Sequence, residues 1–450
     1  MSRASMNTHS SHLTLLLIGL AGLVLIINPA ISLSFDDIFL APKVLWAYAV
    51  LLPAALVLLW GFRAQLAQLK QAPVFLAAGL LTWMFLAVLA HGGAWLAWWG
   101  PADRADGLLM HALYILMLLC GAVIAGQRTL VDQAKHGLTL VGLLLALTSL
   151  AQQLHLWGVP GEGSIQGVAA TLSGGTLGNQ GYMGGALALL LPLVIGSKAL
   201  GKYHAAAVIL MAWALTGTDT RGIWLAGAAG VAALFLWQRH NIHRSTWHAV
   251  IAGVALSALT TLTLSNNSRF DNPDLLDQGS GRELLWPSAL HGIRNAPLFG
   301  DAPPALWRAI AEQPPEAVLA GLGERTLKHI DVLPMTPHLM PAYRIERQDG
   351  SRAIVRASIN KVHNEYLDYA LTYGIPAALL FIALLSSSIW TGRLIHPAIS
   401  AGLIAYAAYL LTWPELMRFA PIAWFMMGLA ASRHVPIHTA EGGLSTGGCA

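Results

Sequence analysis

Cysteine and charge are both scarce in this chain of 450 residues. Only Cys120 and Cys449 occur, one inside an apolar run and one in the polar tail, so there is no disulfide framework. Charged residues make up 11% of the chain, against roughly 25% in globular proteins. With 56% hydrophobic residues and a mean hydropathy of +0.58, this excludes a soluble globular domain and implies an integral membrane protein. Several signatures are also missing. No histidine is followed by glutamate, so there is no His-Glu-x-x-His; nor is there a Gly-x-x-x-x-Gly-Lys-[Ser/Thr] or an Asp-x-Asp. A zinc protease, a P-loop ATPase and an Asp-x-Asp sugar-nucleotide transferase lose support, and no metal site or cofactor is expected. The apolar runs hold too few charges for an ion-coupled relay; Glu415 and Arg418, beside Pro414, are the exception.

What is present is a succession of apolar runs. A spanning helix needs about 20 such residues, and the runs near 13–33, 43–62, 73–90, 107–126, 136–157, 181–197, 203–217, 222–238, 247–265, 370–391, 395–412 and 414–431 predict about twelve spans. The first is too long for a signal-peptide core and lacks a small-x-small cleavage site, so it reads as a retained span. Basic residues orient the array. With the N-terminus in the cytoplasm, the inside connections carry Arg3, Arg63, Lys70, Arg128, Lys135, Lys198, Lys202, Arg239, Arg244, Arg393 and Arg433; the short outside ones carry only Lys43, Arg104, Arg221 and Arg418. Both termini are therefore expected inside, and the segment 266–365 in the periplasm. That segment is nearly balanced, with 11 basic and 12 acidic residues, which argues against a nucleic-acid partner. The pI near 9.1 instead reflects contact with anionic membrane lipid.

The expected fold is an all-α polytopic membrane protein with a large, partly helical extracytoplasmic loop between helices nine and ten. Its parts are helices one to nine over 1–265, the loop domain 266–365, helices ten to twelve over 366–433, and a disordered cytoplasmic tail 434–450. The glycine-, serine- and threonine-rich stretch 158–180 has to line a cavity or face water, because its backbone would be unsatisfied in lipid. In the loop, Ser280 and Glu283 fit a capping box; Leu285, Trp286, Ala289, Leu290 and Ile293 follow at helical spacing; Asn295, Pro297 and Gly300 end the helix. Further helices are expected around 304–312 and 315–329, and a hairpin over 342–357 about Asp349-Gly350.

Three residues at the outer face invite chemistry. His363 sits where the loop re-enters the membrane, in a helix expected to start near Ser358 or Asn360 with Tyr366 and Leu367 on the same face. The helix dipole there disfavours imidazolium and leaves a neutral base; the competing reading is a solvated interfacial histidine. Arg221 opens a helix near Ile223. A cation at a helix N-terminus makes sense where an anion binds, since both favour phosphate, although an ion pair with Asp219 or a snorkelling arginine accounts for it as well. Arg282 opens the loop helix in the same way, with Glu283 beside it. Two arginines and a histidine on one face suit a pyrophosphate leaving group and a general base.

These residues resemble the O-antigen ligase and polymerase superfamily (ligases and Wzy-type polymerases) over roughly 170–430. The resemblance rests on Gly175-Thr176-Leu177-Gly178-Asn179-Gln180-Gly181-Tyr182, Thr220-Arg221-Gly222, Gly281-Arg282-Glu283-Leu284-Leu285-Trp286 running to Ala296-Pro297-Leu298-Phe299-Gly300, and His363-Asn364-Glu365-Tyr366-Leu367 leading to Tyr373-Gly374-Ile375-Pro376. It implies a GT-C-type glycosyltransferase, metal-independent and inverting, at the periplasmic face of the bacterial inner membrane. The implied donor is an undecaprenyl-pyrophosphate-linked glycan; the acceptor is lipid A-core, another lipid-linked glycan or a protein hydroxyl. Arg221 and Arg282 would hold pyrophosphate and His363 would activate the acceptor. Asn179, Tyr182, Glu365 and Tyr366 would shape the substrate site. Asp219 puts a negative charge beside the proposed anion site, and the loop is longer than a minimal ligase needs, which keeps a polymerase of O-antigen, capsule or exopolysaccharide units open. A transporter or flippase of lipid-linked glycan would call for paired half-helices or charges at mid-membrane, and an assembly scaffold would work through the loop surface.

Overall fold

A computed structural model describes residues 3–28, 39–101, 104–156, 173–197, 200–240, 242–264, 282–324, 326–334, 340–357 and 361–431. The expected cap at Ser280, the helix starts at Ser358 or Asn360, the glycine-rich stretch before 173 and the tail from 434, with Cys449, lie outside these. The membrane part is built from α1 (Arg3–Leu25), α2 (Ala41–Gly61), α3 (Ala72–Ala90), α4 (Leu108–Ile124), α5 (Arg128–Gln153), α6 (Gln180–Gly196), α7 (His204–Thr216), α8 (Arg221–Gln238) and α9 (Arg244–Leu264). Among the described residues, six helices are long and apolar enough to cross a bilayer, and four shorter apolar ones accompany them. Prolines mark where several begin: Pro42 and Pro73 sit in the first turns of α2 and α3, where the missing N–H would have had no helical partner.

The segment after α9 is mixed, not simply helical. It holds α10 (Arg282–Asn295), α11 (Ala305–Ala311), α12 (Pro315–Gly321) and an antiparallel sheet of β1 (Leu327–Val332), β2 (Ala342–Arg347) and β3 (Arg352–Arg356) in that order. The expected hairpin is present, with Tyr343 opposite Val355 and Ile345 opposite Ala353. Tyr343 and Ile345 are buried while Arg344 between them is exposed, as the period of two requires. The helix expected over 315–329 stops at Gly321, and Leu327–Val332 pairs with β2 instead. The hairpin presents an open edge, and its hydrogen bonds override the weak helical tendency of this stretch.

The chain then forms α13 (Glu365–Tyr373), α14 (Ile375–Gly392), α15 (Pro397–Leu410) and α16 (Ala420–Ala430). The expected tenth span is thus broken. Gly374 has φ +90°, and a Cβ there would strike the Leu298 carbonyl, so only glycine fits the joint. α4 and α16 pack closely along each other. A Cβ at Gly121 or Gly428 would run into the facing backbone, the small-residue contact by which membrane helices approach. This pairing and the α6–α15–α8 stack bring the α15–α16 connection, 411–419, beneath α10 and the start of α13.

Candidate active site

His363 does not lie in a helix. α13 begins at Glu365, and Asn364 is its N-cap, accepting the Leu367 N–H at 3.2 Å. His363 precedes the cap in the left-handed region, at φ +55°, a conformation that costs a non-glycine residue about 1–2 kcal/mol. Both flanks hold it there. On one side is the Asn364 cap. On the other, Lys361 lies between Asp106 and Asp368 at 2.7 and 2.5 Å, and Asp368 also accepts the Val362 N–H at 3.3 Å. Burial pushes the Lys361 ammonium down, but Asp106, Asp368 and Glu365 outweigh it and hold the pKa well above the usual lysine range.

The imidazole is partly buried and stacks on Trp413, with ring centres 5.5 Å apart. Its pKa is lowered to about 4, first by burial and then by the charges of Arg104 and Arg282. The sequence led us to expect a neutral imidazole from a helix dipole. The imidazole is held neutral, but through desolvation and two guanidinium groups. Tyr366 and Leu367 share no helix face with it. The Tyr366 hydroxyl instead donates to the Ala407 carbonyl at 2.9 Å.

Thr412 and Trp413 tie the other candidates together. Arg282, the first residue of α10, donates from Nη2 to the Thr412 carbonyl at 2.9 Å, while its buried Nε has no partner among the described residues. Burial pulls the Arg282 pKa down. Gly222, next to Arg221, packs against the Thr412 side chain so closely that a Cβ would collide with it. Arg221 itself is exposed at the first turn of α8, as expected, and Asp219 before it turns at φ +47°. On the far side, Trp413 covers Gly181 and meets Tyr182 edge-on at 5.7 Å. Asn179 caps α6 by accepting the Gly181 N–H at 2.7 Å. Glu365 is turned inward at 2% exposure, accepting the Glu415 N–H at 2.7 Å.

Other groups at the site escape a linear reading. Arg104 donates to the Tyr182 hydroxyl at 2.8 Å and is the larger of the two charges felt by His363. Arg418 is buried with its guanidinium over the Tyr182 ring at 5.2 Å, donating to the Leu177 carbonyl at 2.7 Å. Glu415, beside it, accepts from Tyr369, Tyr406 and Trp424. The only hint in the sequence was that Arg104 and Arg418 are two of the few basic residues in short outer connections, and that Glu415 and Arg418 interrupt an apolar region. A small polar pocket of about 20 Å³, lined by Arg104, Asp106, His111, Lys361 and Glu365, adjoins the His363 turn. The Tyr373 hydroxyl borders it without a partner among the described residues. Among the described residues, no group of three or more His, Cys, Asp or Glu side chains is placed to hold a metal ion.

Three basic groups, a neutral imidazole and aromatic walls at one end of an apolar bundle can bind an anion and accept a proton. Residues 206–333 match the O-antigen ligase family. The match runs from within α7 to the end of β1. It includes Arg221 and Arg282 and stops before His363, and it supports the resemblance to the O-antigen ligase and polymerase superfamily. No match was found among the curated proteins. The apolar helices are those of a multi-pass membrane protein, and one segment of it is similar to the O-antigen ligase family.

Proposed function

We propose that the chain is a membrane glycosyltransferase of the O-antigen ligase type. It moves a glycan from undecaprenyl pyrophosphate to an acceptor hydroxyl, such as that of lipid A-core, at the periplasmic face of the inner membrane. The observation that carries this reading is His363, a neutral imidazole stacked on Trp413 within the field of Arg104 and Arg282. In this reading twelve helical segments cross the membrane, α13 and α14 together counting as one. The acceptor oxygen attacks the anomeric carbon from the face opposite the pyrophosphate, and His363 takes its proton. The bond from that carbon to the pyrophosphate oxygen breaks, and the leaving group departs with the electron pair. Attack from behind inverts the anomeric centre. Arg282 and Arg221 balance the charge on the leaving group, as preorganised cations do wherever charge develops. Arg104 orients the Tyr182 hydroxyl and adds to the same positive field.

A polymerase of repeat units is the second reading. Its support is the size of the 282–357 segment, with three helices and a sheet of its own, which exceeds what a minimal ligase needs. One assay separates the two. Purified protein is given an undecaprenyl-pyrophosphate oligosaccharide and separate acceptors, with chelator present and His363→Ala as control. A single-step gel shift on lipid A-core, lost in the variant, is the expected result. A ladder from the donor alone makes the protein a polymerase. Normal transfer by the His363→Ala variant removes the base role.

A further inference from the structure

α6 and α8 each carry a candidate-site residue near one end, Tyr182 and Arg221, and reach a second polar place at the other. Six residues close around a cavity of about 360 Å³ there: Gly196 ending α6, Gln238 ending α8, Asp132 and Lys135 near the start of α5, and His396 and Pro397 at the start of α15. α8 is 18 residues long, so at 1.5 Å per residue the cavity lies roughly 25 Å from Arg221. Its size falls in the range of about 300–1,000 Å³ typical of small-ligand sites. The distribution of basic residues puts this end in the cytoplasm. A Cβ at Gly196 would strike the Ala398 Cβ at 2.8 Å, so glycine is what lets α6 end against the start of α15.

The wall offers both charges. Lys135 and Asp132 lie three residues apart on α5, 3.4 Å from each other, and both are partly exposed. That single long contact leaves ammonium protons on Lys135 and acceptor sites on Asp132 for something else. His396 adds neutral groups. Both its ring nitrogens are shut off from solvent and have no partner among the described residues, a state that costs free energy until a donor or acceptor is supplied. His396 is also the N-cap of α15, and no side chain caps that helix, so its positive end opens at the cavity. The other flank is apolar, with Leu193 and Ile395. Beside it Leu394 is 77% exposed and Trp390 67% exposed, and Arg393 lies over the Trp390 ring, an arrangement suited to the membrane–water interface.

We propose that this cavity binds the phosphoethanolamine headgroup of a membrane lipid. A simple anion would meet Asp132, and a simple cation would meet Lys135. A zwitterion satisfies both. Its ammonium donates to the Asp132 carboxylate, while its phosphate accepts from Lys135, the start of α15 and His396. A primary ammonium carries the hydrogens that this requires, and a quaternary one does not. The exposed apolar residues alongside give the acyl chains a place to lie, so the bilayer is the source, not a soluble ester. The site stands apart from glycosyl transfer at the other end of the bundle.

Native mass spectrometry of the full-length protein tests this. The protein is offered phosphatidylethanolamine, phosphatidylglycerol and phosphatidylcholine with the same acyl chains. Phosphatidylethanolamine should bind about tenfold more tightly than either of the others, the scale of one charge-assisted hydrogen bond. Asp132→Asn should remove that preference. The Asp132 side chain is 49% exposed, so its loss does not threaten the fold. Arg63→Gln, exposed on the same side of the membrane but outside the cavity, should keep the preference. Equal binding of the three lipids overturns the proposal, as does an Asp132→Asn variant that still prefers phosphatidylethanolamine. Glycerophosphoethanolamine, which has the headgroup and no acyl chains, separates the two sources. Competition only at far higher concentration than the lipid supports the bilayer as the source, and displacement at equal concentration overturns it.

Discussion

At the residue scale the informative group is His363, and its surroundings set a direction with pH. Burial, then Arg104 and Arg282, hold its pKa near 4, so the free imidazole is neutral at ordinary pH and is protonated only as pH falls through about 4. A bound pyrophosphate would offset the two guanidinium charges, so the pKa should rise in the donor complex. The acid limb of kcat/KM, which reports the free enzyme, should therefore lie at lower pH than the acid limb of kcat. Coincident limbs would mean that the arginines do not face the donor. Lys361 gives a second prediction. It is buried between Asp106 and Asp368, and removing one partner of such a cluster typically destabilises by about 3–5 kcal/mol. Lys361→Met should lower the thermal midpoint in detergent sharply, while Lys361→Arg, which keeps the charge, should lose much less. Arg282 and Arg221 were singled out in sequence because a charge at a helix entry stands out in an apolar chain, and His363 because the loop re-enters the membrane there. Arg104 and Trp413 were not, because their meaning comes from Tyr182 and His363, which lie far from them along the chain.

At the element scale, helix ends decided more than helix interiors. Apolar length placed the helices, but the start of α13 moved from the expected Ser358 or Asn360 to Asn364 because Asn364 supplies the cap. That shift takes His363 out of the helix and changes the cause of its low pKa. Asn364→Ala should cost about 1 kcal/mol of stability and release the left-handed turn, with a larger loss in transfer than in thermal midpoint. Gly374 is the other decisive joint. Gly374→Ala places a Cβ against the Leu298 carbonyl in a backbone region suited to glycine, and should destabilise by more than about 1 kcal/mol. A thermal midpoint within a degree of wild type would show that the α13–α14 joint is not held as described. The misread stretch 315–329 shows the opposite limit: β1 exists because a hairpin folded later in the chain offers it an edge, which local pattern does not reveal.

At the scale of the whole molecule, the prediction concerns sidedness. With 11 basic residues in the inside connections, the reading above puts Gly350 in the periplasm and His240 in the cytoplasm. Alkaline phosphatase fused at Gly350 should be active, and green fluorescent protein fused at His240 should fluoresce. The reverse pattern would place the His363 site on the cytoplasmic side and remove the periplasmic reaction. The packing of α9 along α7 and of α8 along α15 belongs to this scale too, an arrangement made by four helices together.

By itself the sequence determined the membrane class, the positions of the apolar helices and the hairpin about Asp349-Gly350, and it put forward three residues for anion binding and proton transfer. These follow from local composition, period and charge, which act within a turn or two of helix or strand. Only the tertiary structure decided that Arg104 reaches Tyr182, that Trp413 stacks on His363, and that Glu365 faces inward to Glu415. Each of these depends on which distant segments pack together, and that is set by shape and desolvation across the bundle, not by neighbours along the chain.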